Sequence, residues 1–279
     1  MKTVGVVGGG QMGSGIAEVA AKAGFSVVNV DTFKEGLNNS KKRIEKDMLY
    51  LISKNKITEQ EAEKIKNRIR FSSSYESLAN CDVVIEAVPE KIGIKQEVFN
   101  ILDTVVKSDG ILLSNTSALS ISDIAINTKT PNRIAGMHFF HPAPVMKLVE
   151  VIRGSATDDD TEKKAVAFAK DIGKVPIVAN ETPGFIVNRL LVPMLNEAAY
   201  MVMEGAKPED IDTAMKLGAN HMMGPLELID YTGVDITYGT INGLYEGLKD
   251  EKYRPCPLLI EMIAAGKLGR KSGEGFYKY

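Results

Sequence analysis

The sequence contains no tryptophan and only two cysteines in 279 residues, Cys81 and Cys256. They lie far apart and in no ligand-like spacing, so neither a disulfide framework nor a zinc site is expected, and a reducing cytoplasm is the natural setting. Long hydrophobic runs are also missing. The most apolar stretch, 185–203, is broken by Asn188, Arg189, Asn196 and Glu197. It falls short of the roughly 18 apolar residues a membrane span needs. The N-terminus enters a strand pattern at once, and no cleavable leader is expected. Charge of one sign is lacking as well: 34 Lys+Arg face 36 Asp+Glu, a net of -2. A dedicated nucleic-acid binder normally carries a large basic excess. What remains is a 44 % hydrophobic chain with enough apolar residues for a sizeable core and a length that favours two domains.

The first half alternates apolar runs (3–7, 26–30, 83–88, 110–114, 133–140) with helix-like segments at 13–23 and 94–106. Further strand-like runs at 147–152 and 175–178 flank a helical segment at 161–172. Near-continuous apolar strands alternating with helices predict a mostly parallel sheet in an α/β architecture. Beyond about 183 the pattern is helical only, at 184–203, 209–217, 226–231 and 258–265. The spacing therefore predicts an α/β domain over 1–184 and an all-α domain over 185–279.

One insert breaks the rhythm. Residues 34–70 carry eleven Lys/Arg against six Asp/Glu, a net of +5. Leu37, Ile44, Met48, Leu51 and Ile52 form a stripe at helical spacing, and Thr58 with Glu61 offers a capping box that opens a second helix through Arg70. A basic helical hairpin is expected.

Gly8-Gly9-Gly10-Gln11-Met12-Gly13 fits G-x-G-x-x-G, directly after an apolar strand and opening a helix. Asp31 ends the next strand, 18 residues after Gly13. In this context Gly8 turns the chain, Gly10 admits a pyrophosphate, and Gly13 lets helix and strand pack closely. The helix N-terminus offers amide donors to phosphates. Asp31 would accept hydrogen bonds from ribose hydroxyls and repel a 2′-phosphate, favouring NAD over NADP. The first domain is thus Rossmann-type. FAD is disfavoured because no second nucleotide motif or flavin-sized insert occurs.

Of three histidines, His221 lies among Met222 and Met223 in the helical half and reads as structural. His138 and His141 follow a predicted strand, at the end where open α/β sheets bind ligands. The glycine loop, Asp31 and Asn115-Thr116-Ser117 also follow strand ends, which describes one crevice. Imidazole suits proton transfer near neutral pH. Glu150, in the next apolar run, would return alongside His138 if the two runs pair as a hairpin. Its carboxylate would then orient the ring.

These residues together resemble the 3-hydroxyacyl-CoA dehydrogenase family, most closely its short bacterial members acting on the 3-hydroxybutyryl thioester. The matching segments are 8–13, Glu86-Ala87-Val88-Pro89-Glu90, Ser114-Asn115-Thr116-Ser117, His138-Phe139-Phe140, 145–152, 183–189 and 269–279. The resemblance implies NAD-dependent interconversion of an L-3-hydroxyacyl-CoA and its 3-oxo form. It implies His138 as general acid/base, Glu150 as its orienting carboxylate, and Ser117 with Asn188 as donors to the substrate oxygen. Glu90, Lys95, Asn115 and Lys271 match cofactor contacts, and Lys54 matches a contact to coenzyme A, which would give the basic hairpin an anionic partner. The family further implies a homodimer or higher homo-oligomer, and a crevice between the domains with Asn188 reaching in from the helical side.

Two positions depart from the family pattern. His141 replaces the Asn or Ser of many relatives, and Asp47 stands where some have a coenzyme-binding serine. Two alternatives remain open on the residues: a dehydrogenase of a free hydroxy or sugar acid, and a non-catalytic dinucleotide-binding structural protein.

Overall fold

Four of the first strand's five positions are buried, three of them valines, and the chain builds its sheet outward from that strand. In the computed structural model, which describes residues 2–279, the chain divides into two compact units, Met1–Glu181 and Thr182–Tyr279.

The first unit runs β1 (Thr3–Val7), α1 (Gln11–Lys22), β2 (Ser26–Val30), α2 (Lys34–Ser53), α3 (Glu59–Asn67), β3 (Ile69–Ser72), β4 (Val83–Glu86), α4 (Ile92–Val105), β5 (Ile111–Ser114), α5 (Ile121–Ala125), β6 (Ile134–Phe139), β7 (Leu148–Arg153), α6 (Asp159–Asp171) and β8 (Val175–Asn180). Its eight strands are ordered β3-β2-β1-β4-β5-β6-β7-β8. Pairing is parallel throughout except between β6 and β7. The chain leaves β1 toward β2 on one side and returns to β4 on the other. That reversal opens a crevice beyond the strand ends, where ligands of such sheets bind. The central strands are buried on both faces, with Val4, Val6, Ile85, Leu112 and Leu113 fully covered, as parallel sheets require.

The basic insert forms the hairpin α2–α3. Leu37, Ser40, Ile44 and Met48 turn inward from α2. Thr58 caps α3, donating its amide to Glu61 Oε2 at 2.8 Å and accepting from the Glu61 amide. The expectation of helix through Arg70 is corrected here. The helix ends at Asn67, and Ile69–Ser72 is the edge strand β3, paired with β2. Ile69 and Phe71 sit two apart and pack against the core, so a period of two overrides the charged surroundings.

The second unit comprises α7 (Val187–Met203), α8 (Pro208–Gly218), α9 (Pro225–Thr232), α10 (Val234–Leu248) and α11 (Pro257–Ala264). Its core includes Leu195, Ala199, Leu226, Ile229, Ile241 and Leu259. Helix α7 starts three residues later than the 184–203 pattern predicts, because Gly184 and Phe185 both have positive φ and turn the chain first. Helix α10 was not expected. Gly239, Gly243 and Gly247 lower its helix propensity, but Val234, Thr237, Ile241 and Leu244 still present one buried face. Among the described residues no helix is long and apolar enough to cross a membrane.

Candidate active site

Parallel registers bring the strand ends together. Val7 lies level with Val30 of β2 and Glu86 of β4; Glu86 is level with Ser114 of β5, and Ser114 with Gly136 of β6. The residues just beyond each therefore gather at one edge of the sheet.

At β1 the chain enters the glycine loop. Gly8 has φ +111°, and a Cβ there would press on the Ala87 carbonyl; a Cβ on Gly13 would sit on the Gly8 carbonyl. Nothing lies within 4 Å of the Cβ position of Gly10. Gly10 caps α1 without a side-chain bond, and the first turn carries no acidic residue. An exposed donor-rich helix start with open space over Gly10 fits a pyrophosphate. Asp31 accepts from the Gly9 amide at 2.7 Å through Oδ2 and from the Phe33 amide at 2.9 Å through Oδ1. It braces the loop at the position where a ribose carboxylate partner is expected. Arg43 of the hairpin also donates to the Gly9 carbonyl at 2.9 Å, a brace that the charge pattern alone did not reveal.

Beyond β4 and β5 lies a polar chain, buried at Glu86, Lys95 and Thr116 and open to solvent at Glu90. Glu86 accepts from the Lys95 ammonium and the Val88 amide, each at 2.7 Å. Lys95 also meets Glu90 at 3.1 Å. Glu90 in turn accepts from the Thr116 hydroxyl and from the Ser117 amide at 2.9 Å. Burial pushes the Glu90 carboxyl up, but Lys95, Thr116 and Ser117 outweigh it and hold its pKa below the usual value. Lys95 was expected to touch a cofactor directly; the structure commits its ammonium to Glu86 and Glu90 behind the surface. Asn115 is likewise engaged, its side-chain oxygen accepting from the Phe139 amide at 2.9 Å.

Between β6 and β7, His138 lies directly opposite Glu150 in the antiparallel register. Opposed residues share a face, and His138 Nδ1 stands 2.8 Å from Glu150 Oε2. The pair is almost closed to solvent, at 6 % and 1 % exposure. The ring of Phe140 lies 4.4 Å from that of His138. Lys174 ties down the connecting loop through the Ala143 and Met146 carbonyls, at 2.6 and 2.7 Å. His141 has a different setting: its Nε2 is 3.1 Å from Gln11 Nε2, beside the glycine loop, and burial pushes its pKa down.

The remaining expected residues are placed as follows. Met12 is half-buried and packs against the core. Lys54 caps the C-terminal end of α2, exposed, with its ammonium 5.8 Å from the Tyr50 ring centroid. Asp47, also on α2, faces Glu18 of α1. In the second unit, Asn188 is half-buried in the first turn of α7. Lys271 pairs with Asp235 at the start of α10. His221 lies between α8 and α9. Glu86, Ser114 and Thr116 had drawn no assigned role. The signal for Glu86 was available: like Glu150, it is an acid in an otherwise apolar run, here at the end of β4.

The family model for the 3-hydroxyacyl-CoA dehydrogenase NAD-binding domain matches residues 3–182, and that for the C-terminal domain of the same enzymes matches 184–279. A probable 3-hydroxybutyryl-CoA dehydrogenase of Deinococcus radiodurans is 50 % identical, with 99 % of each chain covered. A 3-hydroxybutyryl-CoA dehydrogenase of Bradyrhizobium diazoefficiens is 47 % identical over all of this chain and 96 % of its own. The crystal structure of (S)-3-hydroxybutyryl-CoA dehydrogenase PaaH1 from Ralstonia eutropha superposes with a TM-score of 0.96 at 45 % identity, covering 100 % of this chain and 99 % of that one.

Proposed function

The chain belongs to the 3-hydroxyacyl-CoA dehydrogenase family, and from that premise we propose that it interconverts L-3-hydroxybutyryl-CoA and acetoacetyl-CoA with His138 as proton carrier. The enzyme is an NAD-dependent oxidoreductase. NAD, when bound, supplies the hydride acceptor or donor; Gly8, Gly9, Gly10, Gln11, Met12, Gly13 and Asp31 would hold it, with Glu90 and Asn115 toward the nicotinamide side and Lys95 supporting Glu90. Lys271 would add a contact from the C-terminal segment.

The observation that carries this reading is the 2.8 Å bond between His138 Nδ1 and Glu150 Oε2. A carboxylate there keeps the proton on Nδ1 and leaves Nε2 as the basic nitrogen. In oxidation, Nε2 takes the proton of the C3 hydroxyl; in reduction, it returns one to the C3 oxygen. Glu150 stabilises the imidazolium between the two events. Ser117 and Asn188 would donate to the C3 oxygen or the neighbouring thioester, favouring the charge that develops there.

Lys54 and the basic hairpin would meet the phosphates of coenzyme A. NAD binding is assigned to the sheet unit, and substrate binding and subunit association to the helical unit. A cytoplasmic homodimer or higher homo-oligomer is supported by two buried free thiols and by the exposed apolar residues Leu190, Leu217 and Met222.

The test is a comparison of acetoacetyl-CoA with free acetoacetate as substrates for NADH oxidation. Strong preference for the thioester is expected. Equal turnover of the free acid would overturn the coenzyme A assignment.

A further inference from the structure

Glu86 has no place in the proton chemistry, yet both of its carboxylate oxygens are satisfied at the sheet edge. It is 0 % exposed. Its Oε1 accepts from Lys95 and from the Val88 amide, and its Oε2 accepts from the Ser114 hydroxyl at 2.7 Å. Lys95, only 1 % exposed, is shared with Glu90. Two carboxylates thus divide one buried ammonium, and no other cation pairs with either among the described residues. The cluster carries a net charge of -1.

A purely structural pair would not need the second carboxylate. Buried ion pairs rarely repay their desolvation, and the second carboxylate, Glu90, brings its charge to the surface side of the pair, with its side chain 39 % exposed. The extra charge lies under the loop 115–117, held to Glu90 through Thr116 and Ser117. The oxidised nicotinamide ring is a cation and the reduced ring is neutral. A fixed negative charge nearby attracts the first and is indifferent to the second.

We propose that Glu86 is a positioning residue that sets cofactor redox preference: by sharing Lys95 with Glu90 it leaves one negative charge at the nicotinamide side and favours NAD+ over NADH. This rests on the reading of Glu90 as a nicotinamide-side residue.

The test is direct binding of NAD+ by calorimetry and of NADH by fluorescence, in wild type and Glu86→Gln, with no substrate present. Glutamine keeps the side chain's shape and an acceptor for Lys95 while removing the charge. The Kd for NAD+ is expected to rise about three- to tenfold while that for NADH stays within about twofold, the scale of one charge acting through an effective dielectric near 20. Glu86→Asp retains the charge and should leave the ratio of the two Kd values unchanged. Glu90→Gln removes the same charge at a less buried position, and provides the test if Glu86→Gln does not fold. It must move the ratio in the same direction, because lost contacts common to both cofactors cancel. An unmoved ratio in whichever charge-removing variants fold overturns the inference and leaves the dehydrogenase reading standing. A wild type that binds neither dinucleotide overturns both.

Discussion

Glu150 meets His138 because the β6–β7 register sets the two residues directly opposite each other, Nδ1 to Oε2 at 2.8 Å. The bond is a consequence of strand pairing, so the fold itself holds the ring at the sheet edge. A carboxylate at 1 % exposure would be costly alone. Its partner is an imidazole that needs a fixed tautomer to move a proton.

Replacing Glu150 with Gln tests that bond. The amide fills the same volume but can donate to Nδ1, which reverses the tautomer and removes the charge opposite the imidazolium. Turnover should fall by ~10²-fold or more with a much smaller change in KM, as read from steady-state kinetics with acetoacetyl-CoA. A loss confined to KM would contradict the orienting role.

Two glycines three residues apart in the loop separate affinity from stability: Gly10→Ala and Gly13→Ala. A methyl at Gly10 meets nothing, so the melting temperature should hold while NADH affinity drops roughly tenfold or more as the methyl enters the pyrophosphate space. A methyl at Gly13 lands on the Gly8 carbonyl and should lower both stability and affinity. Thermal melts and NADH fluorescence titration separate the two cases.

Glu18 supplies a pH dependence. It is buried on α1, its Oε2 has no hydrogen-bond partner, and Lys22 lies 3.6 Å from Oε1. Burial pushes its carboxyl up to about 7, with Asp47 adding to the rise and Lys22 opposing it. The folded state therefore keeps this proton at pH values where the unfolded chain has released it. Stability falls as pH rises from the ordinary carboxyl range to about 7, and the penalty is complete above that. Glu18→Gln should be more stable than wild type at pH 8, by about 3 kcal/mol from the shift alone, with little gain at pH 4. Urea unfolding at the two pH values checks this; a gain that does not grow with pH would refute it.

Asp230 fastens the C-terminal segment of the helical unit. It accepts from the Phe276 and Tyr277 amides, both at 2.9 Å, and from the Tyr279 hydroxyl at 3.2 Å. Asp230→Ala should cost about 2–4 kcal/mol by orphaning those donors and should expose the last residues to carboxypeptidase. Unchanged protection would show that the segment is held by other contacts.

Much of this site could be read before any coordinates. Gly8 to Gly13 and Asp31 announce themselves because close backbone approach admits few other residues. Glu150 was legible as an acid between valines in a strand. The edge strand β3 was not, since Arg70 and Ser72 carry the polar pattern of the hairpin into it. Helix α10 was hidden by its glycines, of which Gly247 has a tertiary reason: a side chain there would strike Pro183. The resemblance marked Lys95 as a cofactor contact, and its pairing with the buried Glu86 could not be read from the sequence.

The most direct test of the central claim compares His138→Ala with His141→Ala in NADH-dependent turnover of acetoacetyl-CoA. His138 pairs with Glu150, whereas His141 meets Gln11 beside the cofactor loop. His138→Ala should lower kcat by ~10²-fold or more, the usual scale of general acid–base catalysis, and His141→Ala by less than about tenfold. Equal, small losses in the two variants would contradict the assignment of His138 as proton carrier.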